Sequence, residues 1–141
     1  MKYFAVIDTN VLVSSLFKKG TPPAKIISCI TGNVITPLYC QEIIDEYREV
    51  LSRPKFKFPK ENIDAVIDSI LLNGISMEKA EISEEMPDPK DIVFYQVVME
   101  SKKSTDENAN GESYLVTGNI KHFPQKTFIV TPSQMLEIIE R

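Results

Sequence analysis

The stretch Tyr3-Phe4-Ala5-Val6-Ile7-Asp8-Thr9-Asn10-Val11-Leu12 decides how this chain is read. A short apolar run rich in strand formers stops at an acid, and residues 10–17 then take a helical pattern. The alternation continues outward from there. A helix is expected over 24–30 after Pro22-Pro23, stopped by Gly32, and a strand at 34–35. Thr36-Pro37 reads as the end of that strand and the start of the next helix, threonine as N-cap and proline just inside, where its missing N–H costs nothing. Further helices are expected over 42–52 and 61–72, a weak strand at 75–77, and a helix opened by Pro87-Asp88-Pro89 that runs to residue 99. Strands at 114–116 and 128–130 follow, the latter leading through Thr131-Pro132 into a helix over 133–140. Strands separated by helices predict an α/β fold: a central parallel sheet of four to five strands with helices on both faces.

The 141 residues suit one domain, 1–141. Hydrophobic residues make up 43% and charged residues 26%, the balance of an ordinary globular chain long enough to bury a core. Collagen, coiled-coil and disordered classes are excluded. Two cysteines, Cys29 and Cys40, are too few for a disulfide scaffold and fit a reducing compartment. Asp8 and Asn10 interrupt the only N-terminal stretch resembling a signal peptide, and no run approaches the roughly 20 apolar residues of a membrane span, so a cytoplasmic protein is expected. Sixteen basic against twenty acidic side chains give a net charge of −4, which argues against a protein that coats nucleic acid electrostatically. It does not argue against an enzyme whose site is built of carboxylates. Residues 101–113 hold no Val, Ile, Leu or Phe and read as a solvated, mobile loop at the amino ends of the strands, away from any site.

The common catalytic motifs are missing: there is no G-x-G-x-x-G, no phosphate-binding P-loop and no G-x-S-x-G. A single histidine, His122, excludes histidine-rich zinc sites and makes nucleophilic triads improbable. Carboxylate chemistry remains. Asp8 follows the first strand, at the carboxyl edge where α/β sheets bind ligands, although a helix N-cap accounts for it equally well. Asn10 adds a neutral oxygen ligand two residues on. In the helix over 42–52 the apolar stripe is Ile43, Ile44, Tyr47, Val50 and Leu51; Glu46 lies about 100° from its centre, whereas Glu42, Asp45 and Glu49 lie roughly 140–160° away. Glu46 is therefore the acid nearest the buried face. Asp91 falls in the first turn of a helix capped by Asp88, where an acid favours the helix dipole, and equally at the carboxyl edge beside Asp8. Asn119 follows a further strand. Carboxylates gathered on one edge repel and raise one another's pKa, and a hard divalent cation such as Mg²⁺ or Mn²⁺ resolves the conflict.

These blocks resemble the PIN-domain (PilT N-terminus) family. The matching residues are Val6-Ile7-Asp8-Thr9-Asn10-Val11-Leu12-Val13-Ser14, then Glu42 to Leu51, Pro87-Asp88-Pro89-Lys90-Asp91, Tyr114 to Asn119 with Lys121-His122-Phe123, and Ile129-Val130-Thr131-Pro132. Order and spacing agree over nearly the whole chain. The resemblance implies a small three-layer α/β/α fold and a metal-dependent ribonuclease. Asp8, Glu46 and Asp91 match the family's metal-binding, catalytic acids, Asn10 matches the polar residue of its first motif, and Mg²⁺ or Mn²⁺ is the implied cofactor. Asn119 departs from the pattern, since the family commonly has a fourth acid there; it keeps an oxygen for the metal and loses the charge. Asn10, Thr117, Lys121 and His122 are expected to support the site or touch the RNA. The nearest pattern is that of toxins of type II toxin–antitoxin pairs, which implies a protein antitoxin partner; symmetry favours a homodimer. Two other readings compete: a catalytically silent module that binds RNA or an antitoxin-like protein, favoured by Asn119, and a D-x-D phosphatase, disfavoured by Asn10.

Overall fold

The computed structural model describes residues 2–108 and 111–141. Its strands are β1 (Lys2–Ile7), β2 (Ile35–Tyr39), β3 (Ile75–Ser76), β4 (Gly111–Val116) and β5 (Ile129–Val130). They form one sheet in the order β3-β2-β1-β4-β5, every pair parallel. The helices are α1 (Thr9–Phe17), α2 (Pro22–Thr31), α3 (Gln41–Leu51), α4 (Lys60–Asn73), α5 (Ile92–Asn108) and α6 (Pro132–Glu140). The expected α/β class is observed, with all five strands in place. Right-handed crossovers put connections that run in opposite directions along the sheet on opposite faces. The α1–α2 and α3–α4 connections therefore share one face, where α2 also meets α6, while α5 packs on β1 and β4 from the other. Ala5, Val6, Ile7, Leu115 and Val116 are buried between these layers.

The two Thr-Pro dipeptides behave differently. Thr131 caps α6 with a reciprocal capping box: its side chain accepts from the Gln134 N–H at 3.1 Å, and the Gln134 side chain accepts from the Thr131 N–H at 2.9 Å. Thr36-Pro37 starts no helix and lies inside β2, with Pro37 opposite Ala5, and α3 begins four residues later. The Met77 N–H donates to the Tyr39 carbonyl at 2.7 Å, so alternate residues of β2, Pro37 among them, turn their backbone groups toward β3. There β3 pairs only with Leu38 and Tyr39, so the proline's missing N–H falls where the ladder has not yet begun. Gly74 explains this close approach, because a Cβ there would lie 2.5 Å from both the Pro37 and Ile70 carbonyl oxygens. Gly74→Ala is expected to lower stability by about 1–3 kcal/mol, read as a lower urea midpoint at unchanged slope.

Residues 101–108 continue α5 and 111–113 begin β4, where the sequence suggested a loop; Ala109 and Asn110 lie outside the described residues. The buried stripe of α5, Phe94, Tyr95, Val97 and Val98, extends to Ser101, whose Oγ lies 2.6 Å from Ser113 Oγ. Lys102 sets its Nζ 4.6 Å from the centre of the Phe128 ring. Polar side chains thus carry the inward face of a helix because partners distant in sequence satisfy them. At the end of α2, Gly32 is the C-cap but the left-handed residue is Asn33, φ 63°.

Candidate metal centre

The order β3-β2-β1-β4-β5 reverses direction at β1, which makes the crevice between the carboxyl ends of β1 and β4 the topological switch point. Asp8 and Thr117 stand there, each directly after its strand. Asp8 occupies the N-cap position of α1, yet its side chain makes no capping hydrogen bond. Instead Asp8 Oδ2 accepts from Thr117 Oγ1 at 2.7 Å, and the Asp8 N–H donates to the Val116 carbonyl at 2.9 Å. The capping explanation therefore does not account for this carboxylate. Asp8 is 4% exposed, and burial first, then the neighbouring Asp91 and Glu46 charges, outweigh the Thr117 bond and push its pKa up to about 6.

Glu46 comes from α3, whose buried face is Ile43, Ile44, Tyr47 and Leu51. Glu42, Asp45 and Glu49 are exposed and Glu46 is half-buried, as the helical spacing predicts. Its Oε2 accepts a hydrogen bond from Thr9 Oγ1, which ties α3 to the first turn of α1. Burial raises its pKa, the Thr9 bond opposes this, and Asp91 raises it further. Beneath the site the buried Tyr47 hydroxyl donates to the Ile7 carbonyl at 2.5 Å, holding α3 to the end of β1.

Asp91 lies in the first turn after the Asp88 cap, as the sequence suggests, but that turn is 3₁₀. It closes a single 3₁₀ turn, Pro89–Asp91, whose cap Asp88 accepts from the Lys90 N–H at 3.1 Å, and α5 begins only at Ile92. Asp91 Oδ2 lies 3.2 Å from His122 Nδ1, and Asp88 Oδ2 lies 3.7 Å from the same nitrogen. Burial and then Asp88 raise the Asp91 pKa, and His122 opposes them. The three acids selected from the sequence thus interact electrostatically across three elements. Among the described residues, however, the group whose ligand atoms close to within 4.8 Å is Asp88, Asp91 and His122. Asp88 reads from sequence as a cap, and Thr9 only as the residue between Asp8 and Asn10; that Asp88 and His122 close around Asp91 becomes visible once the chain is folded.

Asn10, Gly118 and Asn119 form a neutral border. Asn10 Oδ1 accepts from the Gly118 N–H at 3.3 Å, and the Asn119 N–H donates to Thr117 Oγ1 at 2.9 Å. Asn10, Ser14, Gly118, Asn119 and Pro132 line part of a cavity of about 250 Å³ whose lining includes none of the acids. Lys121 is exposed in the 3₁₀ turn Ile120–His122. A larger cavity of about 590 Å³ lies against α6, lined by residues such as Lys126, Gln134 and Arg141, and holds none of these acids. The donor chemistry fits a hard divalent cation: oxygen ligands that burial and mutual repulsion leave electrostatically unsatisfied.

A five-stranded parallel sheet flanked by helices, with acids at its switch point, is an α/β/α architecture of the metal-binding kind. A family model described as PIN domain matches residues 5–121, and the chain belongs to the PIN-domain family, whose members are generally metal-dependent nucleases. The chain has no match among curated proteins or solved structures. No helix among the described residues is long and apolar enough to cross a membrane.

Proposed function

We propose that the protein is a Mg²⁺- or Mn²⁺-dependent endoribonuclease, the toxin of a toxin–antitoxin pair, acting in the cytoplasm as a homodimer of one-domain chains and restrained by a protein antitoxin. One observation carries the nuclease reading: Asp8, buried at the switch point, makes no capping hydrogen bond to α1 and has its pKa raised by burial first and then by the charges of Asp91 and Glu46. Family membership supports the reaction class, and the resemblance to the toxin pattern supports the partner and the dimer.

Asp8, Glu46 and Asp91 would hold the ion, with Asn119 adding a neutral oxygen and His122 steadying Asp91. A bound divalent ion supplies charge stabilisation at a phosphoryl oxygen and acidifies water. The chain's own residues prepare the place. Thr117 fixes Asp8 by donating to Oδ2, and Thr9 fixes Glu46 in the same way. Lys121, exposed beside His122, would meet the RNA phosphates, and Asn10, whose Oδ1 accepts from the Gly118 N–H, would support the site from its neutral border.

The test is incubation of an unstructured, end-labelled RNA with and without Mn²⁺, followed by analysis of the new ends. Cleavage that needs the metal and leaves 5′-phosphate and 3′-hydroxyl ends is expected. Metal-independent cleavage, or 2′,3′-cyclic phosphate ends, would assign different chemistry. Asn119 favours a second reading, a silent module that binds RNA or a partner protein, because divalent affinity falls as ligand charge is removed. No cleavage by the intact protein, together with retained RNA binding, selects that reading.

A further inference from the structure

We infer that the face formed by the end of α1 and the α3–α4 connection is a docking platform for single-stranded RNA, with Phe17, Phe56 and Phe58 stacking on bases and Lys18, Lys19, Lys55 and Lys57 meeting phosphates. The inference rests on the nuclease reading for its choice of substrate, and its test is separate.

The charge distribution is the first observation. In a chain of net charge −4, Lys18, Lys19, Arg53, Lys55, Lys57 and Lys60 fall within two short segments, 17–20 and 53–60, that contain no acid. Arg53 is paired with Glu49 at 3.0 Å and Lys60 with Asp64 at 3.7 Å. Among the described residues Lys18, Lys19, Lys55 and Lys57 are exposed and form no ion pair. Four uncompensated cations on an acidic protein call for a polyanion.

The aromatic geometry is the second. Phe56 and Phe58 are stacked, ring centres 5.4 Å apart and planes 15° apart, and Phe17 sets its edge against both at 5.6 and 4.9 Å. Phe17 is 60% exposed. Between the two stacked rings, Lys57 adopts a left-handed backbone, φ 56°, which a lysine takes only at a cost. Lys55 Nζ lies 5.1 Å from the centre of the Phe56 ring. An exposed ring, Phe17, beside half-buried Phe56 and Phe58 interleaved with exposed lysines is the chemistry of single-strand recognition, because every base has a face to stack and every linkage a charge. A duplex hides its base faces. A second copy of this face would bring the same four cations against themselves.

The face is also continuous with the acids. α1 runs from Thr9, which holds Glu46, to Phe17, about 12 Å along the helix axis. On α3, Glu46, Glu49 and Arg53 follow one side into the connection. An RNA strand lying on the rings thus passes within a few nucleotides of Asp8.

The test is binding, in EDTA so that no cleavage intervenes, of a labelled unstructured RNA of about twelve nucleotides, followed by fluorescence anisotropy at several salt concentrations. Phe17→Ala and Phe56→Ala are each expected to weaken binding roughly tenfold. The double variant Lys55→Gln, Lys57→Gln is expected to flatten the slope of log affinity against log salt by about 1.4. A duplex of the same sequence should respond to the lysine changes and not to the ring changes. Phe17 is exposed enough for its variant to fold, and thermal melting checks Phe56→Ala. Unchanged single-strand affinity in both ring variants overturns the inference, as does a wild type that binds no RNA. So does a Phe17→Ala variant that alters only the sedimenting mass or the capture of an acidic peptide, which would make the face a protein interface. Ring-dependent binding by a protein that never cleaves leaves the platform standing and removes the nuclease. Metal-dependent cleavage with ring-independent binding does the reverse.

Discussion

Asp8→Asn is expected to reduce metal-dependent RNA cleavage by more than about 100-fold, since losing even an outer partner of a metal ligand costs 10–100-fold. The same change is expected to stabilise the metal-free protein at neutral pH. Asp8 has its pKa raised from 3.8 to about 6 in the folded chain, chiefly by burial. Between those values the folded state binds more protons than the unfolded one, so Asp8 makes stability fall as pH rises from about 4 through 6. Above pH 6 the ionised carboxylate costs the fold about 3 kcal/mol, roughly 1.4 kcal/mol for each pKa unit. Asparagine keeps the oxygen that accepts from Thr117 Oγ1 and removes the charge, while its buried amide N–H₂ returns part of the gain by needing an acceptor. Thermal melts in EDTA from pH 4 to 8 read this directly: the variant gains on wild type as pH rises and holds its lead above pH 6. A variant less stable than wild type throughout would remove the buried-charge account of the site. Full cleavage by the variant would remove Asp8 from the catalytic set.

Mn²⁺ affinity is expected to fall about tenfold for each pH unit below 6 on account of Asp8 alone, because the ion must displace its proton. Glu46 and Asp91, whose pKa values are also raised, steepen the fall. Calorimetric titration in two buffers of different ionisation enthalpy would show about one proton released per ion bound below pH 6 from Asp8, and more where Glu46 and Asp91 are also protonated. Above pH 7 the affinity should level off, with little proton release. The Asp8→Asn variant should lose most of this slope, and chelation should abolish cleavage by wild type. An affinity independent of pH between 5 and 8 would mean that the ion does not bind at Asp8. The two experiments are coupled by the same physics. The repulsion that destabilises the empty site is relieved by the cation, so Mn²⁺ should raise the melting temperature of wild type more than that of the variant.

The class of fold was legible from residues 3–17 onward, because hydrophobic periodicity is a local signal and buried strands must be apolar. Glu46 was legible for a related reason: its angle from the stripe of Ile43, Ile44 and Tyr47 is set by helical geometry alone, and it alone of the α3 acids is half-buried. Local signals failed where a distant partner decides. Thr36-Pro37 carries the same letters as Thr131-Pro132 and becomes strand, because β1 pairs with it and β3 begins one residue later. Ser101 and Lys102 are polar and still continue the packed face of α5, because Ser101 finds Ser113 and Lys102 finds Phe128.

By itself, then, the sequence determined the alternation of strands and helices, the acids Asp8, Glu46 and Asp91 as candidates, and the neutral Asn119 among them. Only the tertiary structure decided that the Asp8 carboxylate is held by Thr117, that Asp88 and His122 close around Asp91, and that Phe17 meets Phe56 and Phe58 among exposed lysines. The physical reason is range. Propensity and periodicity act over a few residues along the chain, whereas desolvation, charge repulsion and ring stacking depend on neighbours that folding alone brings together.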